Sequence, residues 1–135
     1  MDTKHMQGKR GCHTIPNVRQ GDIWLVDFGH KRKGSRSLFG KRPVYVMNAS
    51  DRSETMCGVM GIPLFRCPSV DTAVEDIEIL PHYCHGLRYA EYAQPLNIQR
   101  IRTYQIVRRI GHVNNCDIHQ RLMQGVMDQI KKQAG

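Results

Sequence analysis

Apolar residues recur with helical spacing only at the C-terminal end of this chain. There Ile118, Leu122, Met123, Val126, Met127 and Ile130 form one stripe. Asp117, with Gln120 three residues on, predicts an N-cap and a capping pair for this helix. Gly125 inside it is worth about 1 kcal/mol less than alanine, which predicts a close packing contact there. Upstream, apolar residues come in short β-branched and aromatic runs divided by Gly and Pro, the pattern of strands. Asp22–Phe28 reads as a first strand, Val44–Ala49 as a second opened by Pro43, and Met56 to Leu64 or Phe65 as a third. Asp71–Leu80 predicts a strand with Ile77 and Ile79 on one face. Residues 98–103 and 105–110 read as short basic strands or turns, and residues 81–95 as a loop. Short strands followed by one terminal helix predict a mainly β fold with α, a small β-barrel with the amphipathic helix packed against it.

A chain of 135 residues can bury one core without disulfide or metal staples. Residues 1–19 read as a flexible basic N-terminal arm, and 20–135 as the single domain. Twenty Lys and Arg against twelve Asp and Glu give a formal charge of +8, which favours a polyanion or an acidic partner. Half a dozen of those cations, Lys31, Arg32, Lys33, Arg36, Lys41 and Arg42, fall in an acid-free stretch from His30 to Arg42 with Gly34 and Gly40. That stretch predicts a long, mobile loop suited to phosphates. No apolar run approaches the ~18 residues of a membrane span, and the opening residues carry charges without an apolar segment. Five irregularly spaced cysteines (Cys12, Cys57, Cys67, Cys84 and Cys116) read as reduced thiols. The expectation is a cytoplasmic protein with no membrane partner.

Few residues outside the basic loop suggest chemistry. His82, Cys84 and His85, with Cys67 or Cys57, are the nearest approach to a metal set. Neither a Cys-x₂₋₄-Cys nor a His-x₃₋₅-His half is complete, so no metal and no cofactor is expected. The same His82 and His85, and His30, are candidates for an acid or base, since imidazole titrates near neutral pH. Cys84 has no orienting partner in sequence for a nucleophile, and Trp24 suits a core position.

Gly21-Asp22-Ile23-Trp24, then Val26-Asp27-Phe28, a loop with Gly34-Ser35, and Arg42-Pro43-Val44 with Asn48 further on resemble the opening of the MazF/PemK toxins. Gly86-Leu87, Tyr92-Ala93 and Ile101-Arg102-Thr103 are similar to that family's later segment, and the terminal helix to its last helix. The resemblance spans roughly residues 19–131. It implies an SH3-like small barrel of the CcdB/MazF/PemK kind, usually a homodimer. It also implies the toxin component of a type II toxin–antitoxin pair, cleaving single-stranded mRNA at selected sequences without metal. The antitoxin partner would carry an acidic disordered segment that covers the basic groove.

In that chemistry a ribose 2′-OH attacks the neighbouring phosphate, which calls for a base, an acid at the departing 5′ oxygen and a cation facing the phosphorane. Arg42 stands at the family's Arg-Pro arginine and is the candidate cation, its fork able to hold two phosphate oxygens. Ser35 matches the loop serine, and Ser37 lies beside it; both are candidate catalytic residues. Lys31, Arg32, Lys33, Arg36, Lys41, Phe65 and Arg66 are the candidate RNA contacts, Phe65 also reading as a core or rim aromatic.

The sequence departs from the family at two places. Arg36 and Ser37 follow Ser35 where a Glu-Gln pair is usual. Phe65, which cannot donate a hydrogen bond, ends the third strand where a threonine is usual. A second expectation is therefore a catalytically impaired member that binds RNA or antitoxin without cutting, as a regulatory module. A third is a toxin acting on a protein, as related barrels do on a topoisomerase.

Overall fold

The computed structural model describes residues 18–31, 33–34, 38–50, 58–68 and 75–134. Seven strands precede one helix: β1 (Asp22–Asp27), β2 (Lys41–Ser50), β3 (Gly58–Phe65), β4 (Ile77–Ile79), β5 (Glu91–Ala93), β6 (Gln99–Arg102), β7 (Ile106–His112) and α1 (Cys116–Ala134). All pairings are antiparallel. The sheet runs β4-β5-β3-β2-β1-β7, and β6 also pairs with β3. The architecture is mainly β with one C-terminal helix, in agreement with the sequence reading. Among the described residues no strand pairing joins β7 to β4 or β6, so the sheet is not closed by hydrogen bonds. Tight 3-10 turns at Pro81–Tyr83, Pro95–Asn97 and Thr103–Gln105 make the corners.

The central strands are buried on both faces, which explains their unbroken apolar runs. In β2, Tyr45 and Met47 join one cluster while Val44 and Val46 join the other. The larger cluster gathers Ile23, Ile62, Leu64, Ile77, Ile79, Ala93 and Leu87 under the helix residues Ile118 and Leu122. The smaller holds Val26, Val44, Val46, Val59 and Ile101, with Trp24, Phe28 and Ile106 partly buried against it. Trp24 is thus a rim residue of the second cluster rather than the centre of a core, its Nε1–H donating to Asp22 Oδ2 at 3.1 Å.

The segment read as a loop, 81–95, contains β5 as well as the 3-10 turn at Pro81–Tyr83, and the turn at Pro95–Asn97 begins at its end. Three residues are too few to show an alternation, and Tyr and Ala occur in loops as readily. The strand read at 71–80 is confined to Ile77–Ile79 within the described part, residues 71–74 lying outside it. β2 starts at Lys41, so Pro43 lies inside the strand.

The helix cap also differs from expectation. Asn115 Oδ1 accepts the backbone N–H of Asp117 (3.0 Å) and of Ile118 (3.2 Å), so Asn115 is the capping residue and Asp117 lies within the first turn. The apolar stripe divides: Ile118, Leu122 and the half-buried Val126 face the sheet, while Met123, Met127 and Ile130 are exposed. At Gly125 the expected close contact is present. A methyl group there would meet the Pro95 ring, whose Cβ would lie at 2.8 Å.

Candidate anion-binding cleft

β2 and β3 place an arginine beside an aromatic ring. Extending the register Val44↔Pro63 by two residues puts Arg42 opposite Phe65, on the face of β2 that also carries Val44. The Arg42 guanidinium lies over the Phe65 ring, 4.6 Å from its centroid. Its Nε is buried and has no hydrogen-bond partner among the described residues. An unsatisfied buried donor on a cation is costly, and an anionic ligand is one way to satisfy it.

These two residues form one wall of a cleft of about 420 Å³. Arg66 and Cys67, beyond the end of β3, and Tyr92, Gln94, Asp76 and Asn97 complete the lining, Tyr92 being the direct cross-strand neighbour of Phe65. Tyr92 Oη donates to Glu78 Oε2 at 3.2 Å and Gln94 Nε2 to Asp76 Oδ1 at 3.3 Å, so both side chains are held in place. The lining combines two guanidinium groups with one carboxylate, Asp76, and with aromatic surface and amide edges, a combination able to take a phosphate together with a base.

Arg66 is fixed by two groups that the sequence reading did not single out. Its Nε donates to Glu91 Oε2 at 3.2 Å, and its guanidinium lies 3.9 Å from the centroid of Tyr89. Glu91 is 4% exposed. Burial pushes its carboxyl above the usual range, while the charges of Arg66 and Arg42 and the Arg66 hydrogen bond act against that rise. Glu91 lies 25 positions from Arg66 and meets it through the pairing of β3 with β5. The only hint in sequence is an acid between Ala90 and Tyr92 in an acid-poor chain.

The other predicted residues are more dispersed. Arg32, Ser35, Arg36 and Ser37 lie outside the described residues, as do Cys12 and Cys57. Lys31, Lys33 and Lys41 are exposed, with Lys31 Nζ 5.3 Å from the Phe39 ring centroid. His30, His82 and His85 are exposed and none of them lines the cleft. Cys84 is buried, its Sγ accepting the backbone N–H of Gly86 and Leu87, and burial pushes its thiol up, the opposite of an activated nucleophile. Among the described residues no three His, Cys, Asp or Glu side chains gather where a metal ion could sit. A second hollow of about 530 Å³, between α1 and Pro95, is crossed at its edge by the Arg121–Glu75 ion pair and contains none of the predicted site residues.

No protein-family model matches this chain, and no curated protein matches it.

Proposed function

We propose that this chain is the toxin component of a type II toxin–antitoxin pair, a metal-independent endoribonuclease that cuts single-stranded mRNA in the cleft beside Arg42. The observation that carries this reading is the Arg42 guanidinium over the Phe65 ring, its buried Nε without a hydrogen-bond partner among the described residues, at a cleft that a second arginine shares. In the proposed reaction the 2′ oxygen bonds to phosphorus, its proton passes to a base, and the bond to the 5′ oxygen breaks as that oxygen takes a proton. Arg42 stabilises the charge on the non-bridging oxygens as the phosphorane forms. Ser35, Ser37 and the loop histidines are the candidates for the proton transfers.

The SH3-like barrel belongs to the same proposal. β6, the partner of β3, leads through the Thr103–Gln105 corner directly into β7, the partner of β1. Gln105 Oε1 accepts the Arg102 backbone N–H at 2.9 Å and fixes that corner, so the chain itself would link the two ends of the bent sheet. A homodimer, a cytoplasmic location and an antitoxin with an acidic disordered segment complete the proposal, and the charge of +8 supports the last.

The alternative is a regulatory module that binds RNA or antitoxin without cutting. Phe65 favours it, because a phenyl ring can neither donate a hydrogen bond nor move a proton. One experiment separates the two: a long unstructured RNA incubated in EDTA with the wild type and with Arg42→Ala. Discrete fragments from the wild type alone support the nuclease. Intact RNA in both lanes, with a mobility shift that salt abolishes, supports the module. Neither cleavage nor binding overturns both.

A further inference from the structure

We propose that Arg66 is a second phosphate contact of the cleft and that Glu91 is its positioning residue, so that a buried negative charge strengthens the binding of a polyanion. This deepens the RNA-binding reading above and rests on it.

Arg66 is a long side chain at the end of a strand, where a free guanidinium would sample many rotamers and lose that freedom on binding. Two contacts restrict it beforehand. The Glu91 carboxylate accepts the hydrogen bond that Arg66 Nε–H donates, and the Tyr89 ring lies under the guanidinium. The Nη donors are the edge left over, the edge suited to phosphate oxygens.

The exposures of the two partners differ in the direction this role requires. The Arg66 side chain is 62% exposed and that of Glu91 only 6%. A strand of RNA approaching the cleft meets the guanidinium, while the carboxylate stays beneath it. Arg42 also acts on Glu91 through its charge. Two cations therefore share one recessed anion, and the cluster keeps a positive face. With Arg42 over the Phe65 ring and Arg66 next to Phe65 at the strand end, a single strand lying along the cleft would meet two guanidinium groups.

Simple charge counting predicts the opposite effect of Glu91, since removing an acid from a basic cleft should tighten RNA. That contrast makes the test. A labelled single-stranded RNA with 2′-O-methyl riboses, which cannot be cut, is titrated against the full chain at several salt concentrations. The variants are Glu91→Gln, Arg66→Ala, their double mutant and Tyr89→Ala.

The expected result is that Glu91→Gln and Arg66→Ala each weaken binding by roughly three- to tenfold. Each also lowers the slope of log K against log salt by about 0.7, the loss of one phosphate contact on a single strand. The double mutant is expected to be no weaker than Arg66→Ala alone. Tyr89→Ala touches only an exposed ring, so it tests the same positioning should Glu91→Gln fail to fold, and it is expected to weaken binding in the same direction. Tighter or unchanged binding by Glu91→Gln overturns the positioning role. If Glu91→Gln does not fold, unchanged binding by Tyr89→Ala overturns it. Wild type that does not bind the RNA at all overturns the RNA-binding reading itself, a result visible before any variant is compared.

Discussion

His112 Nδ1 lies 2.8 Å from Asp22 Oδ1, tying the last residue of β7 to the first of β1. The carboxylate is fully buried, and the Trp24 indole at 3.1 Å, the Arg19 backbone N–H at 3.0 Å and the Arg109 guanidinium at 3.4 Å complete its shell. Burial alone would push Asp22 up. The hydrogen bonds from His112, Trp24 and Arg19 and the charge of Arg109 outweigh it and hold the group below its ordinary 3.8.

Because the folded value is depressed, the stability that Asp22 contributes is present above pH 3.8 and is lost as the pH falls through the lower, folded value. Asp22→Ala leaves a donor set without its acceptor and is expected to cost about 2–4 kcal/mol at neutral pH. Thermal unfolding at pH 7 and between pH 4 and 2 checks both points: a lower midpoint for the variant, and a shallower acid decline.

His119 gives a second, separate acid step. It joins α1 to β2 through Tyr45 Oη, 3.0 Å from its Nδ1, and its other ring nitrogen meets the Gln20 amide. Burial holds its imidazole below the ordinary 6.5. Below pH 6.5 the unfolded chain therefore takes up a proton that the folded one resists, and stability falls until the folded value is passed. His119→Gln is expected to flatten the decline just below pH 6.5 while leaving the Asp22 step below pH 3.8 in place. Urea unfolding at pH 7.5 and 5.5 reads this directly.

Gly125→Ala inverts the usual helix rule. On propensity alone the change would stabilise α1 by about 1 kcal/mol. Here the new methyl group meets the Pro95 ring, which is rigid, so the variant is expected to lose about 1–3 kcal/mol instead. A lower unfolding midpoint checks it.

Phe65 is expected to matter through Arg42. Replacing it by leucine keeps an apolar side chain but removes the ring face beneath the guanidinium. A cation–π contact of about 0.5–2 kcal/mol corresponds to roughly a two- to thirtyfold loss in cleavage or RNA affinity. Comparison of Phe65→Leu with Phe65→Tyr measures it, the tyrosine variant retaining the wild-type level.

How much of this was legible in sequence depended on the range of the interaction. The apolar runs of β1, β2 and β3 announced themselves, and Gly125 announced its contact, because each signal lies within a few residues. The cap differs by two residues: Asp117 and Gln120 make a valid pair in principle, yet Asn115, just outside the helix, accepts the backbone N–H of Asp117 and of Ile118. The helix stripe was read as one face although its moment cannot say which apolar residues a neighbour covers. Arg42 and Phe65 were singled out separately, but their stacking depends on the β2–β3 register. The Arg66–Glu91 pair depends on a three-residue strand with no periodicity of its own. Serines 35 and 37 lie outside the described residues.

The neck of the basic loop has one further consequence. Gly40 N–H donates to the Gly29 carbonyl at 2.7 Å, Phe28 N–H donates to the Gly40 carbonyl at 2.9 Å, and both glycines hold a positive φ. The clasp fixes where the loop leaves and rejoins the sheet whatever lies between. Insertions and deletions between these glycines are thereby uncoupled from the β1–β2 register that places Arg42. β3 has no such freedom, since its period of two would turn Phe65 away from Arg42 after a one-residue slip. Lineages of this chain can therefore diversify the loop by length, whereas the cleft can change only residue by residue.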